Sequence, residues 1–448
     1  MDELSCRSCH SASLKSFVDL GNSPLANAYL EQSQLWRAEK FYPLHVFICS
    51  KCLLVQLPQF HAPQEIFEEY AYFSSWSDSW LAHAKKYVNF MMSEFGVSDR
   101  RQVVEVASND GYLLQYFHQA GVPVLGVEPA QNVARAAIEK GVPTLSEFFG
   151  ERLARRLVKE GKQADLLIGN NVLAHVPELN DFVSGLKILL KRTGVITLEF
   201  PHLLRLMLEN QFDTIYHEHF SYFSLHAVKS VFANHGLTIF DVQELPTHGG
   251  SLRLFVTHEN AVTSESFPRR RDSSHTAPLL DSRLRGNDGL NDPFFEGEKL
   301  VGGRENVANV LKKEIEAGLT NLEAYENFSE QVRETKRALL DCLISLKRDG
   351  KSIAGYGAPA KGNTLLNYCG VSTDFIDYTV DRSPVKQNRF LPGTRIPIFA
   401  PERLQETKPD FVLILPWNIK NEIMEQTAHI RDWGGRFITP IPKPEIHP

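Results

Sequence analysis

The chain lacks any apolar run of the roughly 18 residues that a membrane-spanning helix needs, so no membrane contact is expected. Its opening, MDELSCRSCHSASLKSF, carries no hydrophobic stretch of the kind that heads a secretory leader, and a cytoplasmic location is the expectation. It also lacks an excess of positive charge. The 48 Lys and Arg against 54 Asp and Glu leave a formal net charge of −6, which argues against a nucleic-acid partner. Cysteine is scarce: six in 448 residues cannot form a disulfide scaffold. Apolar residues are not scarce, at 43%, and a chain this long has material for about three cores.

Four of the cysteines form two tight pairs, Cys6-x-x-Cys9 and Cys49-x-x-Cys52. Each CxxC turn aims two thiolates at one point, and four thiolates complete a closed tetrahedral shell for Zn²⁺. Such a site has no open position, so its role is structural, stabilising a module over residues 1–65 that is too small for a good core. The bland alternative is four unrelated core cysteines. Cys342 and Cys369 read as buried small hydrophobes.

Helical spacing of Trp80, Leu81, Ala84, Tyr87, Val88 and Met91, with Ser77 as a cap, predicts a helix over 77–95. From Arg101 the pattern becomes strand, glycine turn, helix, repeated: RQVVEVA, SNDG, YLLQYFHQAG, then PVLGVEP, AQNVARAAIEKG, ADLLIGNN and GVITLEF. This alternation predicts an α/β fold with a parallel sheet covered on both faces, over residues 66–262. Ligands on such sheets lie at the carboxyl ends of the strands. Residues 263–304, including SRLRGNDG, read as a disordered insertion resembling translated intergenic repeats, with a basic nucleic-acid patch as the sharper alternative. Residues 305–348 read as a helical linker. Residues 349–448, beginning KSIAGYG, start a second alternating, Rossmann-like domain.

The stretch VVEVASNDG places Glu105, Ala107, Ser108, Asn109 and Gly111 at a strand end and tight turn. Small residues there let the backbone approach a ligand. Glu128, before Pro129 and about twenty residues on, can accept hydrogen bonds from two ribose hydroxyls. A second stretch, Tyr216-His217-Glu218-His219-Phe220, gathers two imidazoles and a carboxylate, with Tyr222 nearby. A metal site, a general base with its support, and a hydrogen-bonded polar loop are all open on these residues alone. If the stretch is extended, Glu218 points away from both histidines; a turn would relieve that tension. GYGAPAKG formally contains GxGxxA with Asp381 about twenty residues on, so a nicotinamide-binding oxidoreductase is one reading.

Glu105-x-Ala107-Ser108-Asn109-Asp110-Gly111 with Glu128 resembles the S-adenosylmethionine turn of class I methyltransferases, with Ala107 and Asn109 replacing two of the usual glycines. Asn170-Asn171-Val172-Leu173-Ala174-His175 looks like the fourth-strand exit of that fold. Together with both CxxC pairs, LGNSPLANAYL, YHEHFSYFS, THGGSLR and GYGAPAKGNTLLNYCG, the chain resembles the zinc-containing C-methyltransferases that act on nucleotide-linked keto-deoxysugars, the sugar 3-C-methyltransferases. The resemblance covers nearly everything except the insertion. It implies three parts: a zinc module, a central S-adenosylmethionine domain and a C-terminal Rossmann-like domain.

The resemblance further implies S-adenosylmethionine and Zn²⁺ as cofactors and a nucleotide-diphosphate sugar as substrate. It makes His219 the base, with Glu218, Tyr216 and Tyr70 assisting. Glu105, Ala107, Asn109, Gly111, Glu128, Pro129, Asn170 and Asn171 would hold the cofactor. His175, Tyr222, His248, Arg253, Lys361 and Asn363 would face the substrate, with Arg253 and Lys361 suited to its phosphates. A non-catalytic binding protein that keeps the fold is the remaining alternative.

Overall fold

The computed structural model describes residues 4–60, 73–261 and 303–448. Tyr70 and nearly all of the expected insertion, 263–304, lie outside the described residues. Three sheets organise the rest.

The first is a small antiparallel sheet of β1 (Leu14–Ser23), β2 (Tyr42–Cys49) and β3 (Val55–Gln56). A short strand from far along the chain, β9 (Ser221–Tyr222), pairs with β3 and completes it. The N-terminal module therefore shares a sheet with the residues that follow His219.

The second sheet has the order β10-β11-β8-β7-β4-β5-β6. Its parallel part is β4 (Val103–Val106), β5 (Val124–Val127), β6 (Thr144–Leu145), β7 (Ala164–Asn170) and β8 (Leu190–Pro201). Strands β10 (Leu237–Leu245) and β11 (Ser251–His258) close one side antiparallel. All four residues of β4 and all seven of β7 are buried, as expected for central strands covered on both faces. The predicted helix at 77–95 is Asp78–Glu94, and the Ser77 hydroxyl accepts from the Trp80 amide at its start. Gly126 in β5 is required by close approach: a Cβ there would lie 2.5 Å from the Ser108 hydroxyl.

The third sheet, β14-β13-β12-β15-β16-β17, is parallel except at β17 (Glu445–His447). It comprises β12 (Ile353–Tyr356), β13 (Thr379–Val380), β14 (Ile398–Phe399), β15 (Phe411–Ile414) and β16 (Arg436–Thr439). The two predicted α/β units are both present.

The expected helical linker is not a free connector. Helix Gly303–Glu316 packs on β10, while Phe328–Arg348 packs on β1 and on helix Ala360–Cys369. Glu314 is fully buried and accepts from the His202 ring at 2.7 Å and from the amides of Leu225 and His226 at 2.5 and 2.8 Å. It thus binds the positive N-terminus of helix Leu225–Asn234 from 89 residues away. No helix among the described residues is long and apolar enough to cross a membrane.

Candidate active site

A cavity of about 570 Å³ opens at the carboxyl ends of β4, β5 and β7, and the third domain forms its far wall. On the near side, Ala107 and Asn109 have φ of +55° and +49°. They hold the left-handed backbone that glycine usually supplies, at a cost of roughly 1–2 kcal/mol each. Asn171 at +53° and His248 at +55° do the same on the same cavity wall. Four of the ten non-glycine residues with positive φ among the described residues thus line this one space.

Glu128 closes the turn. Its two oxygens accept from the amides of Asn109 at 3.0 Å and Ala130 at 2.9 Å. Burial raises its carboxyl to about 7, while those two amides pull it back. Pro129, Asn170 and Asn171 also line the cavity, and the side-chain carbonyls of both asparagines are buried without a protein partner. Unsatisfied buried acceptors beside a carboxylate suit a cofactor rich in hydroxyl and amino donors. Glu105 and Gly111 lie behind this surface rather than on it. Glu105 is fully buried, its carboxyl pushed well up by burial against a hydrogen bond from Tyr112. Gly111, at φ +74°, backs onto Ala137 and Val142.

The histidine stretch is a turn, with the His219 amide donating to the Tyr216 carbonyl at 2.9 Å. His219 lines the cavity at 9% exposure. Its Nδ1 meets the Thr214 carbonyl at 2.8 Å. A carbonyl only accepts, so Nδ1 carries the proton and Nε2 keeps a lone pair. Burial, then the neighbouring His175, His248 and Lys361, hold the His219 imidazole well below its ordinary range. It is neutral at physiological pH. Tyr216 packs on its ring at 4.0 Å between centroids, and His175 meets it edge-on at 4.6 Å. Burial lowers His175 to about 4, and its ring bonds the Glu218 backbone.

Glu218, expected to assist His219, is not what holds its ring: the Thr214 carbonyl does so. Glu218 points to the N-terminal module, where one oxygen accepts from Asn27 at 2.7 Å, and burial raises its carboxyl to about 7. His217 turns to the Pro43 carbonyl at 3.2 Å.

Four substrate-facing expectations are also resolved. His248 lines the cavity, 3.1 Å from the Asn171 amide and tilted against Trp80 at 5.2 Å. Tyr222 does not line it; paired in β9, it packs into the core with Leu57 and Phe212. Arg253 does not face it either. Its guanidinium is buried at 2% exposure, 2.8 Å from Glu199, 2.9 Å from the His83 ring and over Tyr87. It neutralises a buried carboxylate instead of meeting a phosphate. Asn363 is spent structurally, donating to the Ala26 carbonyl at 2.5 Å.

Lys361 does reach the cavity, held by Asn418 at 2.7 Å with its ammonium 4.5 Å above the Trp417 ring. Lys386, which sequence reasoning missed, also lines the cavity, donating to the Ala358 carbonyl at 3.0 Å and standing 3.6 Å from Asp381. The second-domain wall contributes the carboxylates Glu128, Glu178 and Asp181, and the third-domain wall contributes the ammoniums Lys361 and Lys386. Asp381 is committed to its own turn, accepting from Ala358 at 2.7 Å and Ser383 at 2.8 Å.

In the N-terminal module the four sulfurs of Cys6, Cys9, Cys49 and Cys52 lie within 4.8 Å of one another. The closest pairs, Cys6–Cys52 and Cys9–Cys49, stand at 3.5 Å, too far for a disulfide of about 2.05 Å. A Zn–S distance of about 2.3 Å gives a tetrahedral S–S edge near 3.8 Å, so the four thiolates fit that ion.

Three family models match successive parts of the chain. Residues 6–67 match a model described as a proposed zinc-binding domain, 81–242 a methyltransferase domain, and 298–442 the C-methyltransferase C-terminal domain. The C-methyltransferase NovU of Streptomyces niveus is 33% identical over 441 residues, 98% of this chain and 96% of that protein. The ubiquinone biosynthesis O-methyltransferase of Bartonella tribocorum is 27% identical over 99 residues, 22% of this chain and 40% of that protein. A solved magnesium protoporphyrin IX methyltransferase from Synechocystis PCC 6803, with bound SAH, covers 40% of this chain and 83% of its own at 17% identity, with a TM-score of 0.33.

Proposed function

The chain belongs to the S-adenosylmethionine-dependent C-methyltransferases, and from that premise we propose that it methylates the carbon beside the ketone of a nucleotide-diphosphate-linked keto-deoxysugar, with His219 as the base. The observation that carries this reading is the state of His219: buried, neutral, facing the cavity, with its one proton committed to the Thr214 carbonyl.

Carbon is a poor nucleophile until a proton is removed. A neighbouring ketone makes that proton acidic, and the lone pair at His219 Nε2 is the group to take it. The electron pair of the C–H bond moves toward the ketone oxygen. The Tyr216 phenol, packed on the same ring, offers an O–H to that oxygen. His175 is neutral as well, so the charge created at His219 meets no cation on that side. When bound, S-adenosylmethionine supplies an electrophilic methyl group. Glu128, Asn170 and Asn171 are the residues that would hold its polar parts.

The split of charge across the cavity supports an anionic substrate. The cofactor brings a sulfonium and an ammonium, which suit the carboxylate wall. A pyrophosphate suits Lys361 and Lys386 at the opposite wall. Burial lowers Lys361, and the nearby Asp213 charge opposes that shift. Glu218 acts through position: its carboxyl anchors Asn27 and its backbone holds His175. We assign Zn²⁺ to Cys6, Cys9, Cys49 and Cys52 as a structural ion, on the sulfur spacing above.

The test is incubation with methyl-labelled S-adenosylmethionine and a panel of nucleotide-linked keto-sugars, read by mass spectrometry. One labelled methyl on carbon next to the ketone is the expected product. Label on oxygen or nitrogen, or transfer to sugars lacking the ketone, would refute the reading.

A further inference from the structure

The carbonyl that orients His219 belongs to a short segment, Phe212–Thr214 followed by Ile215, that the third domain grips from both sides. The Trp417 indole N–H donates to the Asp213 carboxylate at 2.6 Å, across 204 residues of sequence. The Thr364 hydroxyl donates to the Ile215 carbonyl at 2.9 Å, across 149 residues. Between these two contacts, the Thr214 carbonyl accepts from His219 Nδ1 at 2.8 Å. Asp213 is fully buried, Thr364 is 1% exposed and Trp417 8%, so neither contact competes with bulk water.

The two gripping groups are also the neighbours of Lys361. Thr364 is three residues along the same helix, Ala360–Cys369, and therefore on an adjoining face. Trp417 lies under the Lys361 ammonium at 4.5 Å. The cation proposed to meet the substrate's phosphates and the clamp on the base's anchor are one rigid piece of the third domain.

We propose that Asp213, Thr364 and Trp417 are positioning residues for His219: they clamp the Thr214 carbonyl so that the imidazole stays in its Nδ1–H form with Nε2 available, and they tie that state to the domain that docks the substrate's anionic end. Without the clamp, the Thr214 carbonyl moves and the ring loses its single anchor. Substrate still binds, but the base faces it in mixed tautomers and orientations. This inference rests on His219 being the base.

The experiment uses Thr364→Val, which keeps shape and removes the donor, and Trp417→Phe, which keeps a ring under Lys361 and removes the indole N–H. Thr364→Ser is the rescue and His219→Gln the control. The first readout is ¹⁵N NMR of histidine-labelled full-length protein, with the His219 signals assigned by their loss in His219→Gln. The second is deuterium exchange into a thymidine-diphosphate-linked 4-keto-6-deoxyhexose in D₂O with S-adenosylhomocysteine present, which isolates proton removal from methyl transfer. Thr364→Val and Trp417→Phe are expected to erase the single Nδ1–H signature and to slow exchange about ten- to hundredfold, with substrate KM within about threefold of wild type. Thr364→Ser restores both. An unchanged Nδ1–H signature in Thr364→Val, or a defect confined to KM, overturns the clamp. If wild type and His219→Gln exchange at the same rate, the base assignment itself fails, while the ¹⁵N signature still decides whether the clamp exists.

Discussion

Replacing Arg253 by methionine separates two roles that its position in THGGSLR permits. As a phosphate ligand, its loss would raise substrate KM and leave stability alone. As the buried partner of Glu199, its loss would do the reverse. Glu199 is 0% exposed and receives the Arg253 guanidinium at 2.8 Å, the His83 ring at 3.0 Å and the Thr247 hydroxyl at 2.8 Å. Burial alone would raise its carboxyl; the charges of Arg253 and His83 hold it well below the usual carboxylate range instead. Removing one partner of such a pair costs roughly 3–5 kcal/mol, because a buried charge is left unmatched. For a domain of this size that lowers the melting temperature by about 10 °C.

The pH dependence has a definite sign. In wild type the depressed carboxyl contributes stability above the unfolded value of about 4.3 and loses it as pH falls. In Arg253→Met the unpaired carboxyl rises, takes a proton in mild acid and escapes its penalty. The deficit should therefore be largest near pH 8 and shrink toward pH 5. The double variant Glu199→Gln/Arg253→Met should recover most of the loss. Thermal melts by circular dichroism across pH 5–8 make the check. A single variant melting within about 2 °C of wild type, or a double variant no better than the single, would refute the reasoning.

Glu128→Ala should weaken S-adenosylmethionine by about ten- to hundredfold in calorimetry, the scale of a lost charged hydrogen-bonding group. Because burial raises the Glu128 carboxyl to about 7 and only its charged form accepts at both oxygens, wild-type affinity should fall as pH drops through about 7. His219→Gln should lower kcat by about 10²- to 10⁴-fold with cofactor affinity unchanged. Since His219 is held well below 6.5, the wild-type rate should show no loss of base between pH 8 and pH 6.5. Cys49→Ser should reduce bound zinc from one ion per chain, measured by plasma mass spectrometry, and lower the first melting transition, as the loss of a structural ion does.

The turn after β4, which the fold brings to the cavity, was legible because its signal is local: strand, small residues, carboxylate twenty positions on. The cysteine pairs were legible for the same reason. Arg253 was misread because β11 is a central strand, flanked by β10 and β8, and seven of its eight residues are buried. The resemblance set Arg253 against the substrate, but the last three residues of THGGSLR enter this strand, where both faces are covered and a charge needs a buried partner. Tyr222 was misread because nothing nearby announces that its strand pairs with β3, 167 positions earlier at Val55. Asp213, Trp417, His83, Glu199 and Glu314 left no local mark at all. Each matters through a partner at least 112 residues distant, and a single sequence does not display such pairings.

Both described ends that flank residues 262–302 meet β10: Gly303 faces the Phe240 carbonyl and Asp241, while the Glu259 amide holds the Gly236 carbonyl just before that same strand. One strand thus holds both ends. A chain cut between Ala261 and Gly303 would keep its two new termini on β10, so the parts on either side would stay in register.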